Sequence, residues 1–177
     1  MTDFFIQNDI FLRPLEPEDL DVLYRWENDT RLWNVGATIS PFSRFVLKKY
    51  LVDAVDDIYQ IKQLRMMIVE KESNQPVGTL DLYEFDALNS RAGIGVLIDE
   101  TFRKKGYAAQ AVKAIEMYAF NHLNLHQIYA YVPETNKASM ALFTKANFQR
   151  TAVLKAWLLI NRKYVDVVVM QKINSNF

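Results

Sequence analysis

The chain has 177 residues, half of them hydrophobic and 13% aromatic, which fits one domain with a sizeable core and excludes wholesale disorder. Lysine plus arginine equals aspartate plus glutamate at 21 each, so no global field draws the chain to nucleic acid. With no cysteine and only two histidines, His122 and His126, disulfides, thiolate zinc sites and cysteine nucleophiles are excluded and no metal is expected.

No apolar run reaches membrane-spanning length, and the start, Met1-Thr2-Asp3-Phe4, lacks the basic and apolar regions of a signal peptide. The expectation is a cytoplasmic protein without a membrane partner. Ile10 to Leu15 reads as an entering strand ended by prolines. Glu16, Glu18 and Asp19 then gather at the start of a helix with Leu20, Leu23 and Tyr24 on its apolar face, where the helix dipole favours acids. That helix ends among further acids, Glu27 and Asp29. Ser40-Pro41 reads as a cap and first-turn proline opening a second helix, with Leu47, Tyr50, Leu51 and Ala54 on one side and Trp33 before it.

Strands follow at Leu64 to Glu70 and Val77 to Phe85, with a turn at Ser73-Asn74. In the second, Leu80, Leu82 and Phe85 go to one side, while Asp81 and Tyr83 project together from the other. Arg91 to Ile98 is apolar on both faces and belongs at the centre of a sheet. Its glycines, Gly93 and Gly95, mark a bulge, a close backbone approach or tight helix packing. Downstream come a helix through Ala119, a strand from Gln127 to Val132, a short helix from Asn136 to Lys145, and two strands, Phe148 to Leu159 and Tyr164 to Lys172. A hairpin turn at Asn161-Arg162-Lys163 joins the last two.

The stretch from Gly93 to Ala119 organises the rest. After the central strand comes Arg103-Lys104-Lys105-Gly106-Tyr107-Ala108, and then Ala111, Val112, Ile115, Tyr118 and Ala119 recur at helical spacing. The turn therefore opens a helix, whose first amides have no intrahelical partner and whose dipole leaves positive charge at that end. Gly106 permits close main-chain approach, Ala108 is small, and three cations surround the turn, so a phosphate fits. Neither the Lys-Ser/Thr of the nucleotide phosphate loop nor the three glycines of the dinucleotide fingerprint is present.

This turn resembles the pyrophosphate-binding segment of the GCN5-related N-acetyltransferases (GNAT): Arg or Gln, two residues, Gly, one residue, then Gly or Ala. The segment Pro133 to Phe148 resembles the same family in the same order, and the likeness spans nearly the whole chain. It implies one N-acetyltransferase domain over residues 1 to 177 of α+β class: a central, mostly antiparallel twisted sheet with helices on both faces and a splayed central strand pair. It further implies acetyl-CoA as cosubstrate, held by Leu97 and Ile98, by Arg103, Lys104, Lys105, Gly106, Tyr107 and Ala108, and by Asn136, Ser139 and Lys145.

The two N-terminal helices and their connection correspond to the family's variable acceptor wall, so Glu27, Asp29, Trp33 and Glu84 are expected to contact the substrate. Asp81 and Glu84 match acidic positions of the spermidine-acetylating relatives and, with Asp99 at the end of the central strand, are candidates to take the amine proton. Phe143 departs from the family. Many relatives carry tyrosine there to protonate the leaving thiolate, and the expectation is that Phe143 faces the thioester sulfur.

Three readings stand side by side: a ribosomal-protein-alanine or spermidine type of N-acetyltransferase, an acyltransferase for another amine such as an antibiotic or amino acid, and a non-catalytic acyl-CoA or polyamine-binding module. Tyr129, Tyr131 and Trp157 offer an apolar contact for a homo-oligomer.

Overall fold

The computed structural model describes residues 3–33, 40–53 and 57–175. Ala54, expected on the second helix, lies outside them.

Seven strands form one sheet in the order β1-β2-β3-β4-β5-β7-β6. They are β1 (Ile10–Pro14), β2 (Leu64–Glu70), β3 (Pro76–Asp86), β4 (Arg91–Ile98), β5 (Gln127–Pro133), β6 (Gln149–Ile160) and β7 (Lys163–Ile173). Every neighbouring pair is antiparallel except β4 with β5. Helices α1 (Leu20–Glu27) and α2 (Arg44–Asp53) cover one face, where Leu23, Trp26 and Leu51 pack on Met67 and Val69. Helices α4 (Tyr107–Asn121) and α5 (Lys137–Lys145) cover the other, where Ala111, Val112, Ile115 and Phe143 pack on Leu80, Leu82, Ile94 and Ile128. Burial on both faces is what the continuous apolar runs of β2 and β4 require.

Two local features differ from the sequence reading. The second helix starts at Arg44, because the Ser43 hydroxyl, not Ser40, accepts the Val46 amide at 3.1 Å as an N-cap. A one-turn helix, α3 (Ile58–Ile61), was not anticipated. It is capped by Asp57 and stopped by Lys62 in the left-handed region, and four residues are too few to show a helical period. At the start of α1, Asp19 is 2% exposed and bound by both terminal nitrogens of Arg13 at 2.7 Å, so it is a buried ion pair more than a dipole partner. The hairpin between β6 and β7 turns through Asn161 and Arg162, both at positive φ, as a two-residue turn matching strand twist demands.

In β3, Leu80, Leu82 and Phe85 are buried together although strict alternation would send Phe85 to the other side. A β-bulge reconciles this. Between Tyr83 and Asp86 lie Glu84 and Phe85, where the partner strand has only Ala92 between Gly93 and Arg91. Glu84 takes φ 50°, so it turns to the face of Asp81 and Tyr83.

Candidate active site

The β4–β5 pair runs only from Arg91↔Gln127 to Gly93↔Tyr129, after which the strands part. The Asp99 amide donates to Val77, so in this antiparallel ladder Leu97 and Gly95 turn their main chains to β3, while Val96 and Ile98 turn theirs to the opening. The Leu97 main chain, expected to meet the coenzyme, is therefore bonded toward β3, and Val96 is the cleft residue after the fork whose main chain faces the opening. Leu97 contributes its side chain to the cleft instead. Ile98 faces the gap but is not among the lining residues, and its carbonyl accepts Arg103 Nε at 3.2 Å.

Beyond β4, Asp99 caps a single 3-10 turn, Glu100–Phe102, and α4 begins. Gly106 is its N-cap at φ 82°, and a Cβ built there meets nothing within 4 Å. Both properties suit a main chain open to a ligand, and the backbone angle disfavours any other residue. Lys104 and Lys105 are exposed. Lys105 lies 3.4 Å from Glu70, and Lys104 makes no ion pair among the described residues. Tyr107 turns its ring inward, donating to Glu70, which with burial pushes the phenol up to about 12. It therefore offers the turn its backbone. Ala108 is half-buried.

A cleft of about 510 Å³ passes through the sheet where β4 and β5 part. From the α4–α5 side it is lined by Ile94, Val96, Ala130, Val132 and Phe143, and from the α1–α2 side by Asp81, Tyr83, Glu84, Leu97 and Tyr131. Asn136 and Ser139 also line it, as expected, with the Asn136 side chain capping α5 through the Ser139 amide at 3.1 Å. Lys145, in the last turn of α5, does not. Phe143 is 3% exposed and packs edge-on to Phe148, 5.0 Å between centroids. The ring that was expected to face the sulfur is thus a core ring that also borders the cleft.

On the α1–α2 side of the cleft, two carboxylates meet one guanidinium and a third stands apart from it. Arg65 binds Asp81 through Nε at 2.5 Å and Glu27 through a terminal nitrogen at 2.7 Å. Burial opposes the charge on Arg65, but Asp81, Tyr50 and Glu27 outweigh it and hold the guanidinium above its ordinary range. Both Asp81 oxygens face Arg65, and Gln63 adds a further contact, so Asp81 is a committed group more than a ready base. Glu84 accepts the Tyr129 hydroxyl at 2.7 Å on Oε2, is exposed, and has no cation within ion-pair distance among the described residues. Trp33 donates to the Glu27 carbonyl at 2.8 Å and lines the cleft. Asn28 ties the end of α1 to Phe42 through two hydrogen bonds, fixing this wall.

Two expected acids are elsewhere. Asp29 pairs with Arg31 at 2.7 Å, and Asp99 accepts Trp26 Nε1 at 2.7 Å. Both border a separate depression of about 730 Å³ on the other side of α1. Arg65, Gln63, Tyr83 and Tyr131 were missed as site residues. Arg65 had one legible signal, the lone cation of a strand that is apolar from Met66 to Val69, next to a strand carrying an acid. Among the described residues no group of three metal-ligating side chains is gathered.

Residues 9–149 match the family model "Acetyltransferase (GNAT) domain". The chain is 28% identical to the uncharacterized N-acetyltransferase p20 of Bacillus licheniformis, over 94% of this chain and 93% of that one. It is also 28% identical to spermidine N(1)-acetyltransferase of Escherichia coli K12, over 90% and 83%. The fold matches a crystal structure of spermidine N-acetyltransferase from Vibrio cholerae in complex with CoA and spermine, at TM-score 0.87 and 22% identity, covering 96% of this chain and 98% of that one. The sheet order, the split central pair and the helix-opening glycine turn belong with that match: the chain is a member of the GNAT acetyltransferase domain family.

Proposed function

We propose that this protein transfers the acetyl group of acetyl-CoA to a primary amine of a cationic acceptor of the polyamine class. The carrying observation is the cleft, which sets an edge of β4 left without a β5 partner against an acidic wall, while the cationic start of α4 follows β4 after a single 3-10 turn. Residues present fit the coenzyme. The amides after Gly106 and the charges of Arg103, Lys104 and Lys105 suit its phosphates, and the main chain of Val96 suits an extended amide-bearing arm, as an added strand would. The coenzyme supplies a thioester carbonyl, and the protein positions what attacks it.

A primary amine with an unperturbed pKa near ~10.4 arrives protonated at neutral pH and must lose a proton first. Glu27, Asp81 and Glu84 against Arg65 leave the cleft net negative, which attracts such a cation. Glu84, with Oε1 uncommitted, takes the proton directly or through water. An opening-facing amide of β4 polarises the thioester carbonyl. No side chain needs to become acylated, in keeping with the absence of cysteine. Burial keeps the Tyr83 phenol well above its ordinary pKa, so Tyr83 is a poor donor to a thiolate near ~8.5, and water protonates the leaving group. Self-association belongs to the same reading, since a Vibrio cholerae relative is described as dodecameric and Trp157 and Tyr131 are exposed here.

Thiol release from acetyl-CoA, followed with spermidine, spermine, a neutral amino alcohol, an amino acid and an aminoglycoside, tests the proposal. Preferred turnover of the polyamines is expected. Preference for the amino acid or aminoglycoside would move the acceptor class, and CoA binding without turnover of any amine would leave a binding module.

A further inference from the structure

Strands β3 and β5 are not neighbours, because β4 lies between them. Side chains of β3 nevertheless reach β5 over the top of β4. Gly93 allows it: a Cβ there would lie 2.2 Å from Tyr83 Cε2 and 2.5 Å from Cζ, so the Tyr83 ring rests directly on the glycine backbone. Beyond Gly93 that ring meets Tyr129 edge-on, 6.2 Å between centroids. The next residue, Glu84, is turned to the same face by the bulge and accepts the Tyr129 hydroxyl at 2.7 Å.

Tyr129 is the last β5 residue partnered with β4. The Asn174 amide donates to His126, so the even-numbered residues of β5 bond β7, while Tyr129 and Tyr131 turn their main chains to β4. The Tyr131 amide is therefore the next donor that would lengthen the parallel ladder. The Tyr83 phenol lies beside the Tyr131 main chain, in position to compete for that amide. Both strands continue past this point, to Ile98 and Pro133, with open edges, and no proline precedes Pro133 on β5 to forbid further pairing.

We propose that Tyr83, Glu84 and Tyr129 form a clamp that ends the β4–β5 ladder at Gly93↔Tyr129 and thereby holds the opening at the width the coenzyme arm requires. These are positioning residues, acting through the place where β5 leaves β4, and the inference rests on the coenzyme occupying that opening. Glu84 then has two separable roles: its charge serves the acceptor, and its hydrogen bond to Tyr129 serves the fork. Glutamine keeps the second and removes the first.

Calorimetric titration of CoA, paired with amide hydrogen exchange on the coenzyme-free protein, tests this. Tyr83→Phe and Tyr129→Phe each keep a ring and lose one hydroxyl, and each should weaken CoA about tenfold, while Glu84→Gln stays within about twofold. The Tyr131 amide should be protected in the parent and exchange faster in Tyr83→Phe. Parental CoA affinity in both phenylalanine variants, or a Tyr131 amide already exchanging like unstructured peptide in the parent, would overturn the clamp. A parent that binds no CoA would instead sink the coenzyme reading, and the exchange comparison would still decide the clamp.

Discussion

The two ends of the cleft are built by different means. At the end proposed for the coenzyme the groups on offer are main chain: a glycine at φ 82°, the free amides of a helix start and the unpaired edge of β4. At the end proposed for the acceptor they are side chain: Arg65 and Asp81 are cross-strand partners on β2 and β3, and Glu27 joins them because α1 packs over that face. Backbone recognition constrains which residues are tolerated in one short segment, whereas a charge network constrains only what ends up adjacent. On the proposed function, the first kind would serve any acceptor and the second would set acceptor choice.

Glu84→Gln should strike hardest, lowering kcat/KM for spermidine by ~10²–10⁴ if its carboxylate takes the proton. Steady-state kinetics with unchanged CoA affinity would place that loss at the acceptor end, and a rate near the parent's would remove Glu84 from proton transfer. Next is Arg65→Met, which removes the cation that both Asp81 and Glu27 bind. It should cost about 3 kcal/mol in urea unfolding, as for other broken pairs with little solvent access. A cost below about 1 kcal/mol would mean that solvent already screens the pair.

A smaller effect separates Asp99 from the cleft. Burial pushes its carboxyl up, but Trp26, Thr101 and Arg25 more than offset this and hold it below its ordinary value. A carboxylate depressed on folding stabilises above its unfolded value near ~3.9, and that stability is lost as pH falls through the folded value. Asp99→Asn should therefore lose on the order of 1 kcal/mol at neutral pH, converge with the parent in acid and leave the acceptor KM alone. Unfolding curves across that range, with kinetics at neutral pH, check all three points. Phe143→Tyr should change least. A thiolate near ~8.5 leaves tolerably without an acid, so any gain in turnover stays within a few-fold. No gain at all in a folded, CoA-binding protein would show the new hydroxyl turned to the core beside Phe148.

Much of this was legible in the sequence. The limits of β2 and β4 follow from their apolar runs, and the face of α4 through Ala111, Val112, Ile115 and Ala119 follows from its period. Gly106 announced itself through its surroundings. What the sequence hid were effects of register and of added residues. The bulge at Glu84 is invisible in an alternating pattern, yet it alone brings that carboxylate to the cleft. Asp29 and Asp99 looked available because nothing in the sequence shows Arg31 or Trp26 reaching them. Gly93 admitted three explanations, and only the structure shows the Tyr83 ring lying on it.

Titration of CoA into the parent and into Gly106→Val by calorimetry tests the central claim most directly. Valine at φ 82° must leave the left-handed region or strain there, and its branches would stand where a phosphate approaches. The prediction is tight binding by the parent and at least about tenfold weaker binding by the variant, with the fold intact by circular dichroism. Equal affinities would contradict the assignment of the phosphates to the Arg103-to-Ala108 turn.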